Sequence, residues 1–216
     1  MNNSVGNAGR LLWAGLRALL VLTVLTGVLY PLAVTAIAQV AFPGKANGSE
    51  VKDASGKVVG SALIGQTYLA GGKPDLKWFQ PRPSNGLGAN SVNTRYKLIL
   101  SGATNRSGDN ADLIRWVKDA KAAVVKDNSV AGHTVEPSDV PADAVTSSGS
   151  GLDPHISPAY AKLQVHRVAE KNHLPVARVD KLVADHTDDR ILGFIGEPRV
   201  NVLELNTALR ELVAGQ

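Results

Sequence analysis

The stretch that decides the fold runs from Ala18 to Phe42 and reads ALLVLTVLTGVLYPLAVTAIAQVAF, without one charged residue. As an α-helix rising about 1.5 Å per residue, it would be roughly 37 Å long, which exceeds the hydrocarbon core of a bilayer, about 30 Å thick. Its threonine hydroxyls can bond to the helix backbone, and Gly27 and Pro31 are tolerated in membrane helices. The run therefore predicts one membrane-spanning helix, kinked near its middle at Pro31.

A cleaved secretory signal is the alternative, because Ala36-Ile37-Ala38 has the small-residue arrangement that signal peptidase requires. The apolar run is longer than an ordinary signal core of about 7 to 15 residues, which favours a retained anchor. A mature chain beginning at Gln39 would exclude the anchor. In a retained anchor, the small residues Gly27, Ala33 and Ala36, with Pro31 between them, predict a surface for packing against helices of a partner.

Charge does not fix the orientation of this helix. Arg10, Arg17 and the terminal amine lie on one flank, and Lys45, Lys52 and Lys57 lie on the other. The short N-terminal tail and the long C-terminal domain favour the ordinary signal-anchor arrangement. We therefore expect a cytoplasmic N-terminus and a soluble extracytoplasmic domain.

The chain divides by composition into a short tail over 1–17, the membrane helix over 18–42, a linker over 43–49 and one soluble domain over 50–216. Beyond the helix the basic and acidic side chains nearly balance, with a net charge of +2 after the loss of two arginines. That balance gives no electrostatic argument for binding nucleic acid. The chain has no cysteine, so no disulfide holds the core. The pattern predicts an α/β domain of the α+β kind.

Turn and capping residues locate the elements of this domain. Val51 to Ile64 reads as a hairpin, and helices are expected to begin at Asn110, Ser157, about Pro175 and Asn201. The side chains predicted to face inward are Leu113, Trp116, Val117, Ala120 and Val124 on the first helix, Ala161, Val165, Val168 and Ala169 on the second, Val176, Val179 and Val183 on the third, and Leu205, Leu209 and Leu212 on the last. Residues 73–110 lack periodicity and are expected to form an ordered surface loop.

The sequence lacks the patterns of several enzyme classes. It contains no phosphate-cradling GxxxxGK[ST] loop, and Ser148 stands where a GxSxG elbow around Ser150 would need glycine. His155, His166 and His173 include no pair four residues apart, so solvated helix positions explain them as well as a metal site would. We therefore predict no catalytic residue and no metal site.

Two loops of small residues are candidate binding segments. One contains Gly149, Ser150, Gly151, Asp153 and Pro154, and could present several hydrogen-bond donors to a ligand or partner. The other contains Ser101, Gly102 and Asn105. The plainer interpretation, which composition favours for both, is a pair of connecting turns whose polar side chains satisfy nearby backbone amides.

At these residues the sequence resembles the C subunit of the Kdp potassium-transporting ATPase, the KdpC family. The resemblance extends from about residue 20 to 210, and its motifs are Leu25 to Leu32 in the anchor, Gly60 to Gln66, Trp78 to Ser84 (WFQPRPS), Ser148 to Ser157 (SGSGLDPHIS), then Ala161, Gln164 and Arg167, and Gly196 to Asn206 (GEPRVNVLELN). One region departs from the family, where a glycine-rich S-G-G-S-N stretch followed by L-G-P is usual. Here residues 101–105 read SGATN and lead to RSG.

The resemblance implies a non-catalytic accessory subunit of an ATP-driven potassium import complex. Its partners would be a channel-like potassium-binding subunit, a P-type ATP-hydrolysing subunit and, in some complexes, a small single-span subunit. The family is described as a catalytic chaperone that assists assembly or nucleotide binding, with the position of Gln164 as a proposed nucleotide contact. No tightly bound cofactor is implied, and ATP would be met through the partner complex. Helical spacing puts Gln164 at the edge of a buried stripe, which favours a structural hydrogen bond instead.

Two other classes compete with this interpretation. A membrane-tethered extracytoplasmic binding protein acting alone would have the same anchor and the same soluble domain. A tethered hydrolase ranks third, because no nucleophile and base are recognisable. The orientation also constrains the mechanism, since a domain outside the inner membrane cannot meet cytoplasmic ATP.

Overall fold

The computed structural model describes residues 3–84 and 101–215, with side chains from residue 6 onward. The chain divides into two compact units, residues 1–49 and residues 50–216. The part of the predicted loop that covers residues 85–100 lies outside the described residues.

The N-terminal unit is helical throughout most of its length. Helix α1 spans Asn3–Val24, a π-helical turn spans Leu25–Leu29, α2 spans Tyr30–Ala41, and α3 is a single turn, Pro43–Ala46. Residues 6–41 form one helix long and apolar enough to cross a membrane, with a mean hydropathy of 2.1 over its most apolar 18 residues. The helix starts well before Ala18, so most of the predicted N-terminal tail continues it.

The distortion expected at Pro31 takes the form of the wide π turn. Proline has no backbone N–H, and in a regular α-helix its ring would collide with the carbonyl of Gly27. The chain widens just before it, where the Tyr30 N–H bonds to the Leu25 carbonyl. The Thr26 hydroxyl donates to the Leu22 carbonyl at 2.7 Å, which confirms that a threonine hydroxyl returns to the backbone.

The second unit begins with two small hairpins. Strands β1 (Glu50–Lys52) and β2 (Val58–Ser61) pair antiparallel, as the turn sequence predicts. The Asp53 carboxylate closes their turn by accepting from the Ser55 and Lys57 amides at 3.0 and 3.1 Å. Strands β3 (Leu69–Ala70) and β4 (Lys73–Pro74) form the second hairpin.

Among the residues described, four α-helices and a three-stranded antiparallel sheet follow these hairpins. The helices are α4 (Ala111–Asn128), α5 (Pro158–Lys171), α6 (Val176–Asp185) and α7 (Val202–Ala214), and the sheet contains β5 (His155–Ile156), β6 (Thr187–Asp188) and β7 (Arg199–Asn201) in the order β5-β7-β6. The side chains of Asn110, Ser157 and Asn201 cap α4, α5 and α7 as predicted. The domain is therefore the predicted mixture of helix and sheet.

The core lies between α5, α6, α7 and the sheet, and most predicted inward faces are correct. Val165, Val168, Val179, Val183, Val200, Leu205 and Leu209 are all at most 3% exposed. Two predictions are wrong: Trp116 is 41% exposed and Val176 is 40% exposed. Trp116 lies instead against the guanidinium of Arg106, 5.2 Å from its ring centre, and Val176 is the first residue of its helix.

Candidate functional site

A peptide segment with irregular backbone, Leu76 to Gln80, lies against helices α5 and α7. Phe79 at its centre is fully buried, so the prediction of a surface loop is wrong here. Buried backbone groups need hydrogen-bond partners, and here side chains supply them in place of a neighbouring strand. We call this arrangement the backbone clamp; the side chains that form it are Gln164, Arg167, Asn172 and Asn206. Asn172 contributes one bond, which its amide donates to the Lys77 carbonyl at 2.7 Å.

Two amide side chains hold the segment in the same way from two helices. On α5, Gln164 accepts from the Gln80 N–H at 2.7 Å and donates to the Gln80 carbonyl at 3.1 Å. On α7, Asn206 accepts from the Phe79 N–H and donates to the Phe79 carbonyl, both at 2.9 Å. Each amide thus copies the donor and acceptor pair that a neighbouring strand would offer.

Arg167 completes the clamp from within the core, at 1% exposure. Its guanidinium donates to the carbonyls of Leu76 and Trp78, to the Asn128 side chain at 2.9 Å, and to Gln164 Oε1 at 2.6 Å. Burial lowers the pKa of Arg167 to about 10, so the side chain stays charged at neutral pH. In the described part of the chain, backbone carbonyls and side-chain amide oxygens, rather than a direct ion pair, surround this buried charge.

The segment leads into a junction, where the WFQPRPS motif and the two small-residue loops meet. Arg82 reaches Asp153 at 3.2 Å and donates to the carbonyls of Thr146 and Ser147. The Ser84 hydroxyl donates to the Gly151 carbonyl. These contacts join the WFQPRPS motif to the loop that contains the candidate residues 149–154.

The two small-residue loops also lie against each other. The Gly102 N–H donates to the Ser150 carbonyl at 2.8 Å, and the Ser101 hydroxyl reaches the same oxygen at 3.2 Å. Gly151 has φ +68°, and a Cβ there would lie 2.9 Å from the Gly102 carbonyl oxygen. Glycine is needed at this position both for the left-handed backbone and for the close approach of the second loop.

Asp153 organises the turn that leads into β5. Its carboxylate accepts from the His155 amide at 2.9 Å and lies 3.3 Å from the His155 ring nitrogen. Hydrogen bonding from the His155 side chain holds the pKa of Asp153 below its ordinary value, against the opposing effect of burial. Asp153 is therefore ionised at neutral pH, where it also pairs with Arg82.

A cleft of about 250 Å³ opens beside the clamp, between α4, α5 and the hairpin of β3 and β4. Gln164, Arg167, Tyr160, Asp127 and Arg82 are among its lining residues. Burial raises the pKa of Tyr160 to about 12, so its phenol stays protonated. The Gln164 side chain is 0% exposed, and a ligand in the cleft reaches its amide only by displacing the Gln80 backbone.

The remaining candidate residues do not join this cluster. Asn105 has a left-handed backbone, with φ +50°, and Gly149 has open space around its Cα. The Pro154 carbonyl accepts from the Val202 N–H at 3.0 Å, which ties β5 to the start of α7. Among the histidines, His166 stacks on His133 with ring centres 3.7 Å apart. Within the described residues, no group of three or more side chains is arranged to bind a metal ion.

The sequence interpretation treated the two loops and the amide residues separately, and so missed the clamp and the junction. An available signal was the polar residue Asn206 on the apolar side of α7, next to Leu205 and Leu209. A polar side chain in a buried stripe indicates a specific hydrogen-bond partner, but the sequence does not say which one.

Fold and site together define a class: in its described residues, a protein with one apolar N-terminal helix long enough to span a membrane and an α/β domain built around a clamped peptide segment. The family described as K+-transporting ATPase, c chain (KdpC), matches residues 12–211. The chain is 77% identical to the potassium-transporting ATPase KdpC subunit of Streptomyces avermitilis, over 99% of both chains. It is 72% identical to the KdpC subunit of Streptomyces coelicolor over 99% of this chain and 98% of the relative. The KdpC subunit of Kineococcus radiotolerans is 45% identical, over 97% and 98%. The chain therefore belongs to the KdpC family, which confirms the resemblance.

Proposed function

We propose that this chain is a non-catalytic accessory subunit that supports the assembly of an ATP-driven potassium import complex. Its partners are a channel-like potassium-binding subunit and a P-type ATP-hydrolysing subunit, with a small single-span subunit in some complexes. The observation that carries the proposal is that the buried polar side chains of the site bind the chain's own backbone. Gln164, Arg167 and Asn206 hold the chain's own backbone rather than facing a substrate.

The serines of the two loops support a non-catalytic role. A serine nucleophile needs a base within hydrogen-bond reach of its hydroxyl. Among the described residues, Ser101 donates to a backbone carbonyl, and the nearest side-chain partner of Ser150 is another hydroxyl, that of Ser148 at 3.4 Å. His155 is oriented by Asp153, but no described hydrogen bond joins its ring to a serine. This arrangement argues against a tethered hydrolase.

Copurification tests the proposal against a binding protein that acts alone. A tag on the full-length chain, expressed with its genomic neighbours and solubilised in mild detergent, should bring down a P-type ATPase subunit. A chain that is purified repeatedly without any such subunit would contradict the proposal. The matched control is the same tag on an unrelated single-span protein of the same membrane.

We propose further that the anchor contributes to assembly through Gly27, Ala33 and Ala36, with Pro31 setting the shape of the helix between them. Small residues let membrane helices approach closely, and a Cβ at Gly27 would have only a Thr23 methyl within 4 Å, at 3.9 Å. Gly27→Leu should therefore reduce copurification. Gly15→Leu, on the same helix with open space around it, is the matched control.

The orientation belongs to the same proposal: N-terminus in the cytoplasm and soluble domain outside the inner membrane. In that arrangement the domain assists the membrane-embedded subunits and not the cytoplasmic nucleotide domain. Protease added to sealed spheroplasts should digest the domain and leave the anchor. Complete protection of the domain would reverse the orientation.

Assistance with nucleotide binding is a second candidate, and the cleft beside Gln164 is the observation that favours it. Contact with nucleotide requires the clamp to open at Gln80 and requires the domain to face the cytoplasm. Photolabelling of the solubilised complex with azido-ATP tests it. Labelling of this chain that is lost in Gln164→Glu but retained in Lys162→Glu, an exposed neighbour, would support this candidate over the purely structural role.

A further inference from the structure

The connection between β6 and β7 ends in an exposed apolar tip, which we call the apolar finger, residues 191–195. Leu192 is 79% exposed and Phe194 is 72% exposed, with Ile191 and Ile195 at 55% and 47%. Single exposed apolar side chains are common on soluble domains, but four large ones within five residues are not. The finger therefore has the composition of a surface that another molecule covers.

The finger has a defined backbone structure. Ile191 and Ile195 exchange two backbone hydrogen bonds, at 2.9 and 3.0 Å, and the Phe194 N–H closes the turn onto the Ile191 carbonyl at 3.3 Å. The apolar side chains are thus presented by a hydrogen-bonded hairpin. A pre-formed hairpin loses little conformational freedom when it docks.

Leu192 occupies a backbone conformation that leucine disfavours. Both central residues of the turn are left-handed, Leu192 with φ +55° and Gly193 with φ +81°. Turns of this type favour asparagine, aspartate or glycine at both positions. A strained leucine whose side chain is almost wholly exposed gains nothing inside its own domain, which points to a role outside it.

The charges around the finger argue against a lipid surface as its partner. Arg190 is bound to Glu197 at 2.6 Å, and Arg199 lies 3.6 Å from Asp188. Asp189 has no ion-pair partner in the described part of the chain, and residues 188–199 carry three acidic and two basic side chains. Loops that dip into anionic membranes add free cations to their apolar residues, whereas this finger is slightly acidic and its cations are engaged.

We propose that the apolar finger inserts into a hydrophobic pocket, with a neutral or basic rim, on another subunit of the potassium-transporting complex. Leu192 and Phe194 are the anchoring side chains, and Ile191 and Ile195 fill the edge of the contact. Apolar and aromatic anchors in a partner's pocket are typical of the centre of a protein interface. The proposal rests on the accessory function proposed above and names the contact surface that this function uses.

The test replaces both anchors in the full-length chain, as Leu192→Asn with Phe194→Ser. Asparagine tolerates the left-handed turn better than leucine, so the substitution should preserve or raise the stability of the domain in urea. The expected result is at least a tenfold loss of the chain from the detergent-purified complex. The matched control is Leu63→Asn, the same change at a leucine that is 63% exposed and lies outside the finger; it should be retained at the wild-type level.

The outcomes separate the finger from the proposed function. A wild-type chain that brings down no partner overturns both, whereas a double variant that assembles as well as the wild type overturns the finger alone. If the double variant and Leu63→Asn are lost from the purified complex to the same extent, the loss is not specific to the finger, and the finger proposal is overturned. If the purified wild-type chain forms a concentration-dependent dimer and the double variant does not, the finger would be assigned to a second copy of the chain. Quenching of Phe194→Trp by brominated phosphatidylcholine in vesicles holding the complex, above that of the wild type, would assign it to lipid.

Discussion

Gln164→Leu keeps the size of the side chain and removes its polar groups. The substitution leaves the Gln80 N–H, the Gln80 carbonyl and one Arg167 N–H without the partners they have at 2.7, 3.1 and 2.6 Å. A buried polar group left without a partner costs about 1–3 kcal/mol, and water from the cleft offsets part of this loss at Gln80. We expect the domain to lose about 3–5 kcal/mol, a large share of the 5–15 kcal/mol that stabilises a typical domain.

Urea unfolding of the full-length chain in detergent micelles, followed by tryptophan fluorescence, measures this loss. A midpoint lower by about 1–5 M is expected for typical urea slopes of about 1–3 kcal/mol per M. Lys162→Leu is the matched control, because it introduces the same residue at an exposed position of α5 and should change stability by less than about 0.5 kcal/mol. A Gln164→Leu midpoint within 0.3 M of the wild type would refute the clamp as a stabilising structure.

The remaining predictions concern the junction and the core. Gly151→Ala should lower the free energy of unfolding by about 1–3 kcal/mol in the same assay, because its Cβ would lie 2.9 Å from a carbonyl oxygen in a left-handed backbone. The control is Gly149→Ala, which has open space around the new methyl group and should change the free energy by less than about 0.5 kcal/mol. Equal effects of the two substitutions would contradict the junction. Asp153→Asn should lower Tm at pH 7, because folding lowers the pKa of the Asp153 carboxyl. Such a carboxyl stabilises the folded domain at pH values above its unfolded pKa of 3.8, and this contribution is lost as the pH falls through its folded pKa. The two proteins should therefore converge in Tm as the pH falls below 3.8 and through the lower folded value, and a gap that persists in acid would be inconsistent with this titration. Arg167→Met should cost about 3–5 kcal/mol, whereas the exposed Arg178→Met should be nearly neutral; similar small shifts in both would argue that the buried guanidinium is dispensable.

Local signals made the helices and the first hairpin predictable. Asn110, Ser157 and Asn201 accept backbone hydrogen bonds at the helix starts that their sequence context indicates. Capping and apolar periodicity depend on residues three or four positions apart, so one sequence contains them in full. The long apolar N-terminal helix was similarly predictable from the length of its uncharged run.

The clamp was not predictable because it depends on distant pairs. Gln164 and Asn206 bond to Gln80 and Phe79 across separations of 84 and 127 residues. Periodicity shows that a residue lies near the core, but it does not identify the group that faces it. The same limit explains why residues 76–80, which lack any strand or helix pattern, were assigned to the surface although Phe79 is fully buried.

The loop junction was predictable in its local backbone and not in its long-range contact. The glycines and serines of 147–151 indicate unusual backbone, and Gly151 has the expected positive φ. Its close contact with Gly102 joins two loops that lie far apart in the sequence, which composition alone does not reveal. The departure from the family pattern at residues 103–108 follows directly after the part of that loop that makes the contact.

Growth under potassium limitation tests the accessory role most directly. Cells that lack this chain but retain the other subunits of the complex should fail to grow at micromolar potassium, and the full-length chain supplied from a plasmid should restore growth. A chain without residues 1–42 should not restore it. Normal growth at low potassium in the absence of the chain would contradict the account.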